Sequence, residues 1–101
     1  MAYEIARSIT SGRRAVTLAG TAEQLVSTST SCYRVDISAD LGNVTPIVTG
    51  GSNVVAANGS QVGVVLTPGN PPLTLLVDDV SKVYIDAQTD GDAACFVYYQ
   101  A

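Results

Sequence analysis

The chain has 101 residues, of which 47% are hydrophobic and 14% charged, with a net charge of −4 and a pI near 4.3. That length makes one domain with a single modest core, and so apolar a composition excludes intrinsic disorder. The acidic balance excludes a nucleic-acid partner, whose phosphates demand Lys and Arg, and no run of about eighteen apolar residues offers a membrane-spanning helix.

The first residues, MAYEIARSITSGRR, place Glu4 and Arg7 where a signal peptide needs an unbroken apolar stretch. The expectation is a protein folded in the cytoplasm that made it. Arg7, Arg13 and Arg14 hold most of the positive charge and lie in a Ser/Thr/Gly context that does not favour strands. Residues 1–13 therefore read as an N-terminal arm and 14–101 as the folded domain, with residues 1–12 poorly ordered in the free protein. The arm is either a solvated tail or a basic element that docks on an acidic neighbour.

Helical periodicity is almost absent, and the best candidate, residues 21–26, is one turn long. Strands are expected at 14–19, 32–39, 45–49, 62–67, 73–78, 82–87 and 93–100. The segment 32–39 (CYRVDISA) alternates most cleanly: Tyr33, Val35, Ile37 and Ala39 face one way, and Arg34, Asp36 and Ser38 face water. Pro46 marks an edge strand or a first strand position, since proline cannot donate to a central ladder. Clusters of Gly, Asn, Asp and Pro separate the strands, and the last third reads as a run of β-hairpins. The expected fold is a single-domain, all-β antiparallel sandwich of jelly-roll or Greek-key type, with about seven or eight short strands.

A true immunoglobulin domain is disfavoured: there is no tryptophan, and Ala93 stands where a tyrosine corner would need tyrosine. Cys32 and Cys95 read as small buried hydrophobes in strands, kept reduced. A disulfide stays open as the alternative if their strands face each other.

The chain has no histidine and only two cysteines. It lacks the usual general base and the means for a tetrahedral zinc site. No phosphate loop is present, and no enzyme activity or cofactor is expected. Asp86, Asp90 and Asp92 around Gly91 form a weak calcium candidate whose spacing does not match an EF-hand; the competing reading is an acidic hairpin turn. Tyr98 and Tyr99 are adjacent in an expected strand, so one faces the core and the other faces out, where it can anchor a contact. With Arg7, Arg13 and Arg14, they are the candidate protein-interface residues.

The order of CYRVDISA (32–39), TGGSNV (49–54), Asn58-Gly59, LTPG (66–69), DDVSKVYID (78–86) and GDAACFVY (91–98) resembles a group of small virion proteins of tailed bacteriophages. The likeness covers about residues 21–100. It implies a capsid cement or decoration protein made in the bacterial host cytoplasm, bound to the major capsid protein on the outer surface of the virion and stabilising the shell. Threefold points on a capsid favour a homotrimer. The alternatives are another virion part, such as a head–tail connector, tail or fibre module, or a cellular carbohydrate-binding sandwich.

Overall fold

The structure, a computed structural model, describes residues 5–101. Its strands are β1 (Ser8–Ala15), β2 (Glu23–Gln24), β3 (Arg34–Ala39), β4 (Ile47–Gly50), β5 (Val64–Leu66), β6 (Leu73–Leu75), β7 (Tyr84–Ala87) and β8 (Ala93–Gln100), with one 3-10 turn at Val80–Lys82. They form two antiparallel four-stranded sheets: a front sheet ordered β1-β8-β3-β6 and a back sheet ordered β2-β7-β4-β5. β1 lies beside β8, β2 beside β7, β3 beside β6 and β4 beside β5. That is a long antiparallel ribbon rolled into two layers, the strand order of a jelly roll.

The pattern of β3 decides which way the front sheet faces. Val35, Ile37 and Ala39 are buried, and Arg34, Asp36 and Ser38 point outward, as their alternation predicts. Tyr33, expected in the inward set, is corrected, since it precedes the strand and its ring lies beside that of outward Tyr99. Ala94 and Phe96 of β8 and Ile47, Leu66, Ile85 and Ala87 of the back sheet complete the core between the layers. Phe96 is the one large ring in it. Gly12 of β1 lies opposite Phe96 in register, and a Cβ at Gly12 would stand 2.5 Å from the tip of that ring. The absence of a side chain at Gly12 is what lets the ring lie across the strand.

β4 is buried on both faces. On its outer side Val48 packs with Val54 and Ala56, and half-buried Tyr84 closes the group. The excursion between β4 and β5, residues 51–63, thus folds back over the back sheet as a cover. It re-enters the sheet at Gly63, whose φ of +122° and the 2.7 Å separation between a Cβ built there and the Thr49 carbonyl oxygen require glycine.

Four expectations are corrected. Residues 8–15 are not an arm but the edge strand β1, paired with β8 along its whole length; the boundary at 13/14 falls inside it. The pairing supplies the order that the Ser/Gly composition does not, and residues 1–4 lie outside the described part. Residues 21–26 do not form a helical turn, because Glu23 and Gln24 pair with Ile85 and Tyr84 as β2. The single turn lies instead at Val80–Lys82, where Asp79 caps it by accepting from the Ser81 N–H. Nor is the last third a run of hairpins. β6, β7 and β8 alternate between the sheets, and the Asp79-capped turn is what carries the chain from one layer to the other. Finally, Cys32 lies outside the named strands and Cys95 is only half-buried, while both thiols are free, in line with the reduced reading. Pro46 directly precedes β4, which sits between β7 and β5, so it occupies a first-position site and not an edge.

Two substitutions test this packing. Gly12→Ala should destabilise the fold by about 1–3 kcal/mol through displacement of the Phe96 ring. Asp86→Ala should cost about 1–3 kcal/mol for each main-chain N–H left without an acceptor, for reasons given next. Urea unfolding followed by circular dichroism measures both, and wild-type midpoints in either variant would contradict the contacts described.

Candidate interaction face

The carboxylates determine which surfaces are free. Asp86, on the outer side of β7, is 1% exposed. Its Oδ1 accepts from the N–H groups of Gly20 (2.9 Å) and Ala87 (2.8 Å), and its Oδ2 accepts from Ala56 N–H (3.0 Å). It therefore pins both the 51–63 cover and the turn at Gly20 to the back sheet. Asp92 accepts from the N–H groups of Val44 (2.9 Å) and Thr45 (2.8 Å) and from the Thr45 hydroxyl. Asp90 accepts from Ala19 N–H at 2.7 Å. The three do not form one site: Asp86 and Asp90 hold the turn at Ala19–Gly20 through separate N–H groups, Asp92 holds the loop at Val44–Thr45, and among the described residues no group of three metal-ligating side chains converges.

Two more acids do the same work. Glu23 accepts from the N–H groups of Thr17 and Leu18, both at 2.9 Å from its Oε2, and from Arg14 Nη2 at 2.6 Å. Asp79 accepts from the N–H groups of Thr30 and Ser81 and from the hydroxyls of Ser29 and Ser81. The β7–β4 part of the back sheet and the loop ends are thereby closed over by the chain itself, while Val64 and Val65 of β5 stay exposed.

No described segment covers the outer face of the front sheet. The side chains opposite one another there are Ile9 and Tyr99, Ser11 and Val97, and Arg13 and Cys95, continued on β3 by Arg34, Asp36 and Ser38. A shallow groove of about 600 Å³ runs across it, lined by Ile5, Ala6, Ile9, Tyr33, Arg34, Leu76 and Tyr99. Three of these side chains are large, apolar and wet: Ile5 is 79%, Ile9 63% and Leu76 82% exposed.

One polar network stiffens that face. Asp36 Oδ1 accepts from Thr74 Oγ1 (2.7 Å) and Arg34 Nε (3.1 Å), and its Oδ2 accepts from the Tyr99 hydroxyl (2.8 Å). The Arg34 guanidinium lies 5.2 Å above the Tyr99 ring, and the Tyr33 ring is 6.3 Å from it, tilted by 38°. Burial pushes the Asp36 carboxyl up, but the hydrogen bonds from Thr74, Arg34 and Tyr99 outweigh it and hold the group below its usual range. The hydrogen bond to Asp36, aided by burial, raises the Tyr99 phenol in turn. Arg34 and Tyr99 are thus held in fixed rotamers at the surface, the property that makes Arg and Tyr effective contact anchors.

The sequence candidates divide. Tyr99 and Arg13 lie on this face, with Arg13 Nε 2.9 Å from Asp40 Oδ2. Tyr98 turns inward and stacks near Phe96, ring centres 6.4 Å apart. Arg14 is turned to Glu23, so it is not part of a docking arm. Arg7 is exposed, and its N–H donates to the Gln100 carbonyl. Ile5, Ile9, Tyr33, Arg34 and Leu76 were not singled out as interface residues by the sequence; Arg34 alone had a signal, as a polar residue at an outward position. Cys32 is buried, and its thiol donates to the Val77 carbonyl at 3.2 Å. Burial and nearby Asp79 push its pKa up, which makes it a poor nucleophile at neutral pH.

Comparison of the chain with protein-family models, curated proteins and solved structures finds no match.

The carboxylate contacts predict acid lability. Burial pushes the carboxyls of Glu23 and Asp92 up, yet in Glu23 the Leu18 and Thr17 N–H groups and the nearby Arg14 charge, and in Asp92 the Thr45 hydroxyl and the Val44 and Thr45 N–H groups, bring them below the usual range. In Asp79 the Ser29 hydroxyl and the Thr30 N–H lower it strongly. A carboxyl whose folded pKa is depressed binds protons more readily in the unfolded chain, so its stabilisation is present above the unfolded value, about 4, and is lost as pH falls through the folded one. The thermal midpoint should be flat above about pH 5 and drop steadily below about pH 4. A midpoint unchanged down to pH 2 would contradict these contacts.

Proposed function

We propose that this chain is a non-enzymatic structural protein of a phage virion, a cement or decoration protein that binds the outer capsid surface through the outer face of its front sheet. The observation that carries the reading is the asymmetry of the sandwich. The chain's own 51–63 segment covers the back sheet over Val48 and Tyr84, leaving Val64 and Val65 of its β5 edge exposed, while the front face leaves the more exposed Ile5, Ile9 and Leu76 beside the Arg34–Tyr99 pair. A wetted apolar patch rimmed by polar groups marks an interaction surface. The buried carboxylates support a non-catalytic role, since they are engaged with main-chain N–H groups.

The likeness in motif order to small tailed-phage virion proteins supplies the partner, the major capsid protein. The jelly-roll strand order is shared by viral shell domains, lectins and cupins, so the fold supports this class by analogy only. Self-association on the shell belongs to the same reading, with a trimer at the threefold points as the expected form.

Sedimentation with DNA-free heads and, in parallel, with isolated tails tests the proposal. The protein should pellet with heads and not with tails. Leu76→Asp, at a wetted position, should leave the fold intact and weaken head binding by about tenfold or more, equivalent to about 1.4 kcal/mol. Binding to tails alone, or head binding that Leu76→Asp leaves unchanged, would overturn respectively the location and the face.

A further inference from the structure

A sheet edge is a row of main-chain donors and acceptors, and this sandwich has four of them. Three are short: β2 has two residues, β5 has three, and β6 has three and follows Pro71 and Pro72. Shortness and proline are standard protections of an edge. β1 has neither. It spans eight residues without proline, and no described strand lies beyond it.

Which groups of β1 are free follows from the ladder. Asp40 N–H donates to the Ala93 carbonyl at 3.0 Å, so the odd-numbered residues of β8 turn their main chain towards β3. The even ones turn theirs towards β1, because these groups alternate in an antiparallel pair. Their partners are Thr10, Gly12 and Arg14. The N–H and C=O groups of Ile9, Ser11 and Arg13 therefore point away from the sandwich, into the open side of the edge.

We propose that this edge binds a second copy of itself, β1 antiparallel to β1 across a twofold axis near Ser11, joining two front sheets into one eight-stranded sheet. The strand is suited to its own reverse. With the axis at Ser11, Ile9 faces Arg13 of the other copy, Ser8 faces Arg14 and Thr10 faces Gly12, so no arginine stands opposite an arginine. An axis at Arg13 would set the two Arg13 side chains against each other. The charge at this edge is already balanced within each copy, by Asp40 at 2.9 Å from Arg13 and Glu23 at 2.6 Å from Arg14. Ile9, 63% exposed in the single chain, gains cover from the Arg13 stem of the partner copy. Such pairing is isologous and closes at two copies. It stands on the edge geometry alone, independent of the capsid reading, and gives two copies in solution where threefold capsid points suggest three.

Sedimentation equilibrium of the full chain in free solution tests it. The wild-type protein should be a dimer. Ser11→Pro removes only an N–H that faces the open edge, a position where proline is tolerated. It should keep the wild-type circular dichroism spectrum and raise the dimer dissociation constant by about tenfold or more. Val65→Lys, on the β5 edge with its exposed valines, should leave the dimer intact. A wild-type monomer at all concentrations, a trimer, or a dimer that survives Ser11→Pro and is lost in Val65→Lys would each overturn the proposal. If Ser11→Pro unfolds the chain, Ile9→Lys takes its place: it leaves the ladder to β8 intact and sets a lysine beside the partner's Arg13, so a dimer of unchanged affinity in that variant would equally overturn it.

Discussion

Loop main chain laid against a sheet must find partners for its N–H groups, because an unpaired buried donor costs about as much as several ordinary contacts provide. In this protein carboxylates supply those partners. Asp86, Asp92, Asp79 and Glu23 each accept from two or more main-chain N–H groups of segments distant in sequence or in turns. A carboxylate offers about four lone-pair sites and no donor, so one side chain can hold two loops. The rest of the structure depends on this arrangement. It lets a core of mainly Val, Ile and Ala with one phenylalanine be closed at its ends without longer loops or a disulfide.

The same arrangement explains the two different faces of the sandwich. Asp86 holds Ala56 over the back sheet, where Val48, Val54 and Tyr84 make a second small apolar group. Among the described residues, none makes an equivalent cover on the front sheet. There Asp36 bonds only with side chains of its own surface, Arg34, Thr74 and Tyr99, and so fixes a face in place of burying one. The acidic composition and the exposed front face thus have connected origins: most of the acids serve the fold, and the front face they leave open carries exposed Ile5, Ile9 and Leu76.

Much of this was legible in the residues. The alternation of Val35, Ile37 and Ala39 located β3 and its inward face, and the expected strand at 93–100 coincides with β8. β1 was not legible, because Ser, Thr and Gly give SITSGRRA no strand preference of its own; it is a strand because β8 lies beside it, and Gly12 is required by Phe96, a neighbour 84 residues away in sequence. Asp78-Asp79 looked like a hairpin turn, since a turn between sheets and a turn within one use the same residues. The trio Asp86, Asp90 and Asp92 offered a weak calcium candidate beside the reading as an acidic turn, but Asp86 and Asp90 are engaged with main-chain N–H groups of the 19–20 turn and Asp92 with those of Val44 and Thr45. Of the interface residues, Tyr99 was readable from adjacency, whereas Ile5, Ile9 and Leu76 become a face only when β1, β8, β3 and β6 are laid side by side in that order.

Amide hydrogen exchange by NMR near neutral pH tests the carboxylate account most directly. The N–H groups of Gly20, Ala56, Val44, Thr45 and Thr30 all lie outside the named strands. The account predicts that they exchange slowly, within about tenfold of the β3 and β8 amides, because opening them requires breaking a buried carboxylate contact. If those five amides exchange at the rate of free loops while β3 and β8 stay protected, the carboxylates do not hold the loops, and the account is wrong.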